Sequence, residues 1–87
     1  MPEISRFLGI VITMFYNDHN PAHFHVRYNE YRAKISIAEL QLIEGSLPKK
    51  VTALVIEWAF EHRQELLEDW ELALNKKPLK DIAPLVS

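Results

Sequence analysis

The run HFHVRYNEYRAKISIA, His23 to Ala38, alternates apolar and polar side chains on both sides of Asn29-Glu30. Phe24, Val26 and Tyr28 interleave with His23, His25 and Arg27; Tyr31, Ala33, Ile35 and Ile37 interleave with Arg32, Lys34 and Ser36. A period of two marks a strand with one buried face. A two-residue loop at Asn29-Glu30 pairs Tyr28 with Tyr31, Arg27 with Arg32, Val26 with Ala33 and His25 with Lys34. Every apolar residue then meets an apolar one. A slip of one residue destroys that agreement, so the pattern sets the register. Glu30 is the weak point, because two-residue hairpin turns favour Asn-Gly and a positive φ disfavours Glu. A longer loop of the same parity is the alternative.

Outward from this hairpin, Phe7 to Tyr16 (FLGIVITMFY) is rich in β-branched and aromatic residues and reads as one strand. Leu8, Ile10, Ile12 and Met14 face one way, and Phe7, Val11 and Phe15 the other. Both faces are apolar, so the strand is covered on both sides or lies in a contact surface. Asn17-Asp18-His19-Asn20-Pro21 is turn chemistry. Glu39 to Glu44 suits a short edge strand ending at Gly45, with a helical turn as the alternative.

Pro48 to about Lys76 reads as one long helix, with Pro at its first position and Pro78 as its stop. Val51, Val55, Trp58, Ala59, His62, Leu66, Trp70 and Ala73 form one apolar stripe; Ile56, Phe60, Leu67 and Leu74 form a second beside it. The expected fold is α+β: an antiparallel three- or four-stranded meander packed on one long C-terminal helix. It forms a single domain over 1–87, with the sheet at about 6–44, the helix at about 48–76 and a tail at 77–87. Such a helix spans about 42 Å, against about 26 Å for an eight-residue strand. It overhangs the sheet and leaves Trp70 and Leu74 wet. Either the tail folds back through Leu79, Ile82, Leu85 and Val86, or another chain covers the helix; a break near His62 is the competing explanation. Trp58, Phe60, Leu67, Trp70 and Leu74 are the interface candidates.

The whole chain has 87 residues, a net charge of −2 and no cysteine. A chain this short buries only about 60% of its unfolded surface, so metals or oligomerisation are natural supports. Without cysteine, disulfides, thiolate metal sites and cysteine catalysis are excluded. No apolar run nears the ~20 residues that span a bilayer. The Met1-Pro2-Glu3 opening shows no basic stretch or cleavage site, so the expectation is a cytoplasmic protein.

Two groups of residues can carry chemistry. In the first, His23 and His25 sit two apart on a strand and point the same way. With Asp18 or His19 they can bind Zn²⁺ or another divalent metal and leave a position open for water. The plain reading is a turn followed by solvated strand residues. The second group is the polar hairpin face: His23, His25, Arg27, Arg32 and Lys34, with Glu30 the only counter-charge. A basic sheet face suits phosphate, and Tyr16, Phe15 or Phe7 could add a stacking surface for single-stranded RNA. Arg27, Arg32 and Lys34 are then the nucleic-acid contacts, and His23 or His25 the catalytic base of metal-independent RNA cleavage. The plain reading is a solvated face, or one that meets an acidic protein. His62 on the apolar stripe reads as a core histidine, and Glu57, Glu61, Glu68 and Glu71 as a solvated helix face.

The run GIVITMFYNDHNPAHFHVRY (Gly9 to Tyr28), then Glu44-Gly45-Ser46-Leu47-Pro48 and Glu57-Trp58, resembles the small bacterial domain-of-unknown-function family 4160. The family commonly has a second proline where this chain has Ala22. The resemblance highlights Asp18, His19, Pro21, His23, Phe24 and His25. It implies a partner, because members are often encoded beside another small uncharacterised protein in a toxin–antitoxin-like arrangement. Three functions are therefore expected in competition. The first is an interaction component of a two-gene system, as a homo-oligomer or with the neighbouring gene product. The others are an RNA-binding or RNA-cleaving domain and a divalent-metal-binding protein.

Overall fold

The computed structural model describes residues 2–16 and 18–85. Five strands form one antiparallel meander in the order β1-β2-β3-β4-β5: β1 (Glu3–Phe7), β2 (Ile10–Thr13), β3 (His23–Tyr28), β4 (Tyr31–Ser36) and β5 (Leu42–Gly45). Two helices follow, α1 (Lys49–Glu61) and α2 (Arg63–Leu74). The α+β class holds, with one more strand than the largest number expected and two helices in place of one.

The β3–β4 hairpin has the expected register: Tyr28 opposite Tyr31, Arg27 opposite Arg32, Val26 opposite Ala33 and His25 opposite Lys34. The difficulty at Glu30 resolves because the positive φ, 52°, falls on Asn29, a residue that tolerates the left-handed region.

The extra strand comes from the segment read as continuous. Leu8 (φ 52°) and Gly9 (φ 79°) form a two-residue turn that folds β1 onto β2, with Phe7 opposite Ile10. Positive φ at both central residues is the type I′ geometry favoured in two-residue hairpins, and Gly9 supplies it without strain. Phe7 therefore lies beside Ile10 on the core side, 4% exposed, whereas Leu8 at the turn is 57% exposed. At the other edge, the β5 backbone approaches β4 so closely that a Cβ on Gly45 would lie 2.1 Å from the Arg32 carbonyl oxygen.

The helix breaks at His62 (φ −117°, ψ 22°). The His62 N–H still donates to the Trp58 and Ala59 carbonyls, and the His62 carbonyl starts α2 by accepting the Leu66 N–H. A straight rod of about 42 Å exceeds the longest dimension of the fold, 33 Å. Breaking it costs about 1 kcal/mol for each displaced hydrogen bond. Burying an indole stabilises by about 4 kcal/mol on an area basis, so the break wins. It returns Leu66, Trp70 and Ala73 to the core.

One apolar cluster runs from Ile4 and Phe7 through Phe24, Val26 and Ile35 to Val55, Trp58, Leu66, Trp70 and Ile82. Trp58 is fully buried. Its ring packs on Phe7 and Phe24, and its Nε1 donates to the Ala83 carbonyl at 2.8 Å. Trp58 and Trp70, read as core or interface anchors, are core residues here, covered by the break and the tail. The tail does fold back: Ile82 N–H donates to the Ile4 carbonyl at 2.7 Å, and Leu79 and Leu85 pack against the cluster. Val86 of that expectation and Asn17 of the turn lie outside the described residues. Phe60 (69%), Leu67 (37%) and Leu74 (40%) remain exposed. Among the described residues, no helix is long and apolar enough to cross a membrane.

Candidate metal centre

Strand alternation turns His23 and His25 to the same side of β3, and the loop before β3 carries Asp18 to meet them. One carboxylate oxygen, Oδ2, lies 3.0 Å from His23 Nε2 and 2.9 Å from His25 Nε2. The other, Oδ1, accepts the His19 backbone N–H at 2.9 Å. Among the described residues, Asp18, His23 and His25 are the group whose ligand atoms converge, all within 4.8 Å of one another. His19 is different from the expected ligand: its side chain is exposed, and it contributes its backbone alone.

The rings are held from both sides. Phe15 meets His25 edge-on, with centroids 4.2 Å apart, and Trp70 lies 5.3 Å from His23. His23 is 4% exposed, so it is not the solvated, outward-facing residue expected of the basic face. Trp70 is the neighbour that sequence reasoning missed. It stands far along the chain from His23 and arrives only because the helix breaks. His23 Nδ1 lies 2.7 Å from the Pro21 carbonyl oxygen. A carbonyl can only accept, so Nδ1 carries the proton.

Burial pushes the Asp18 pKa up. The hydrogen bond from His25, the His19 N–H and the charges of both histidines outweigh it and hold the group at about 2. The carboxylate is therefore ionised at neutral pH. His25 is pushed below the ordinary histidine range, first by burial and then by the neighbouring His23 and Lys34 charges; the Asp18 hydrogen bond opposes them. Its ring is neutral near pH 7, the form that ligates metals.

The basic face beside this cluster is smaller than expected. Arg27 and Arg32 are exposed cross-strand partners. Lys34 pairs with Glu44 at 3.5 Å, a counter-charge brought alongside by β5 and not anticipated. Phe7 is in the core, which leaves Phe15 and the 41%-exposed Tyr16 as the aromatic candidates. His62 sits at the helix break, against Trp58 and hydrogen-bonded to Glu65, apart from the cluster.

Comparison with known proteins gives one match. No curated protein and no solved structure matches the chain. A family model, Domain of unknown function (DUF4160), matches residues 9–71. That span runs from the Leu8-Gly9 turn to the end of the Trp70 contact and includes Asp18, His23 and His25; the chain belongs to the DUF4160 family.

Proposed function

We propose that this protein binds a divalent cation through Asp18 Oδ2, His23 Nε2 and His25 Nε2. The observation that carries the reading is the convergence of His23 Nε2 and His25 Nε2 on one Asp18 oxygen, at 3.0 and 2.9 Å. With Nδ1–H committed to Pro21, Nε2 is the ring nitrogen turned toward the Asp18 carboxylate oxygen, 3.0 Å away. A cation seated among the two Nε2 atoms and this oxygen would take all three as ligands. His25 alone does not discriminate, since its neutral ring can donate from Nε2 to Asp18. Direct hydrogen bonds between the imidazoles and Asp18 are the competing account.

The geometry supports the metal. Ligands at ~2.1 Å from an ion lie ~3.0 Å apart at right angles and ~3.4 Å apart at the tetrahedral angle. The observed 3.0 and 2.9 Å are close to the former. The Nδ1–H to carbonyl bond is the outer contact that orients ligating histidines. Two imidazoles and one carboxylate suit Zn²⁺, Mn²⁺ or Fe²⁺ and leave coordination positions for water. Elemental analysis of untagged protein purified without chelator, followed by calorimetric titration with Zn²⁺ and Mn²⁺, tests the reading. One equivalent bound by the parent and lost in Asp18→Asn supports it; no uptake of any divalent ion sinks it.

A second reading rests on a separate observation. Phe60 on α1 and Leu67 and Leu74 on α2 stay exposed. Large apolar side chains left in water suit a protein partner, in keeping with a two-gene, toxin–antitoxin-like pairing or with a homo-oligomer. Light scattering of the protein alone, and mixed with its neighbouring gene product, tests it; a monomer that ignores that product counts against it.

A further inference from the structure

A cleft of about 330 Å³ is lined by Thr13, Phe15, His25, Arg27 and Arg32, with Val26 and Ala33 between them. Arg27 and Arg32 stand directly opposite each other on β3 and β4. Like charges in that position are destabilising, by up to about 1 kcal/mol. Neither arginine makes an ion pair among the described residues. The carboxylates that share this side of the sheet are engaged elsewhere: Arg6 grips Glu3 through two hydrogen bonds, at 3.1 and 2.8 Å, and Lys34 takes Glu44. The charge of Arg27 reaches Glu3 without forming a bond to it. Both arginines therefore line one opening, and among the described residues no carboxylate is bonded to either guanidinium. Planar forks of this kind match phosphate oxygens two at a time.

The position of His25 links the cleft to the cluster. Its ring lines the cleft while its Nε2 meets Asp18. A ligand lying there has the arginines at one end and the cation position at the other. The volume is at the low end of the ~300–1,000 Å³ usual for small-molecule pockets, which suits one nucleotide and not two. Phe15 offers an apolar wall for a base.

We propose that this cleft binds the phosphate of a single nucleotide, free or as one unit of single-stranded RNA, with Arg27 and Arg32 gripping its oxygens beside the cation at Asp18, His23 and His25. The proposal rests on the metal reading above. Its test therefore begins with Mn²⁺ alone, titrated into the untagged protein and into Arg27→Ala, Arg32→Ala and the double variant. Circular dichroism confirms that each is folded, and Arg27→Gln serves as a second variant. AMP and a labelled oligouridylate are then titrated into each Mn²⁺-loaded protein at low and high salt.

The expected result is unchanged Mn²⁺ uptake in all variants, with nucleotide affinity lowered about tenfold or more by each arginine change and falling with salt. Tighter binding of oligouridylate than of AMP assigns the strand as the source; equal binding assigns the free nucleotide. A Mn²⁺-loaded parent that binds neither, or arginine variants that bind as well as the parent, overturns the proposal and leaves the metal reading standing. Failure of the parent to take up Mn²⁺ removes the metal reading, and this one with it.

Discussion

Asp18 and His25 meet side chain to side chain at 2.9 Å, and the same carboxylate oxygen meets His23 at 3.0 Å. His25→Ala and Asp18→Asn each remove one ligand from a site that offers three. Divalent-cation affinity is expected to fall by about 100-fold or more in both, since outer contacts alone are worth 10–100-fold. Isothermal calorimetry with Zn²⁺ measures it. Unchanged affinity in either variant removes that residue from the ligand set.

His23→Ala is expected to behave differently from His25→Ala, because His23 is 4% exposed and packs on Trp70. Truncation opens a cavity beside the indole and releases the Pro21 tie. The expected cost is about 2 kcal/mol of stability, against about 0.5 kcal/mol or less for His25→Ala in metal-free protein. Chemical denaturation followed by tryptophan fluorescence separates the two. Equal losses would mean that Trp70 does not lean on His23.

Gly45 and Gly9 both have positive φ, 83° and 79°, yet their substitution by alanine is expected to differ. At Gly9 the new Cβ meets only the flexible Tyr28 ring, at 3.6 Å, whereas at Gly45 it runs into the β4 backbone at 2.1 Å. Gly9→Ala should cost about 1 kcal/mol, the conformational strain alone. Gly45→Ala should cost at least about 2 kcal/mol and detach β5, which amide exchange of the Ser46 N–H bonded to Arg32 reports. Similar losses at both positions would contradict the close approach.

Asp69 is 1% exposed. Its Oδ1 accepts the Lys80 N–H at 2.9 Å, and its Oδ2 has no partner among the described residues. Burial pushes its pKa up, with Asp81 and Glu65 adding to the rise and Lys80 opposing it. The folded state thus holds the proton more tightly than the unfolded chain, so the parent loses stability as pH rises through the folded pKa and regains it on acidification. Asp69→Asn keeps an acceptor for Lys80 and removes the charge. It is expected to be about 1 kcal/mol more stable than the parent at pH 7, with the difference shrinking toward pH 4. Thermal melts across that range decide it; a gap that widens on acidification has the wrong sign.

The hairpin register was legible because every pair from Tyr28–Tyr31 to His25–Lys34 follows from a strict period of two. The β1–β2 turn was not, because Leu8 occupies a left-handed conformation that leucine rarely adopts, and an apolar run gives no punctuation beyond Gly9. The break at His62 has no glycine or proline to announce it, yet the length of a straight rod against the sheet already makes a break near His62 the alternative to one long helix, and the break is what the fold has. Half of the site follows the same division. Asp18, His23 and His25 were readable from strand alternation and turn chemistry. The inward seat of His23, the Trp70 wall and the Glu44 counter-charge depend on elements distant in the chain. Phe60, Leu67 and Leu74, read as interface candidates, are exposed in this fold. Phe60→Ser should therefore leave stability within about 0.5 kcal/mol and weaken any self-association seen by light scattering.

The two borders of the sheet are unequal. The tail runs beside β1 and binds it through Ile82 and Ile4, whereas β5 is exposed along its full length. β5 pairs with β4 on one side and is an open edge on the other, whereas one β1 carbonyl, that of Ile4, is already taken by the tail. Any edge-on pairing through β5 would join two copies across a twofold axis into one ten-stranded sheet with β1 and its tail at both outer margins, which leaves no second open β5 edge for growth into a fibre.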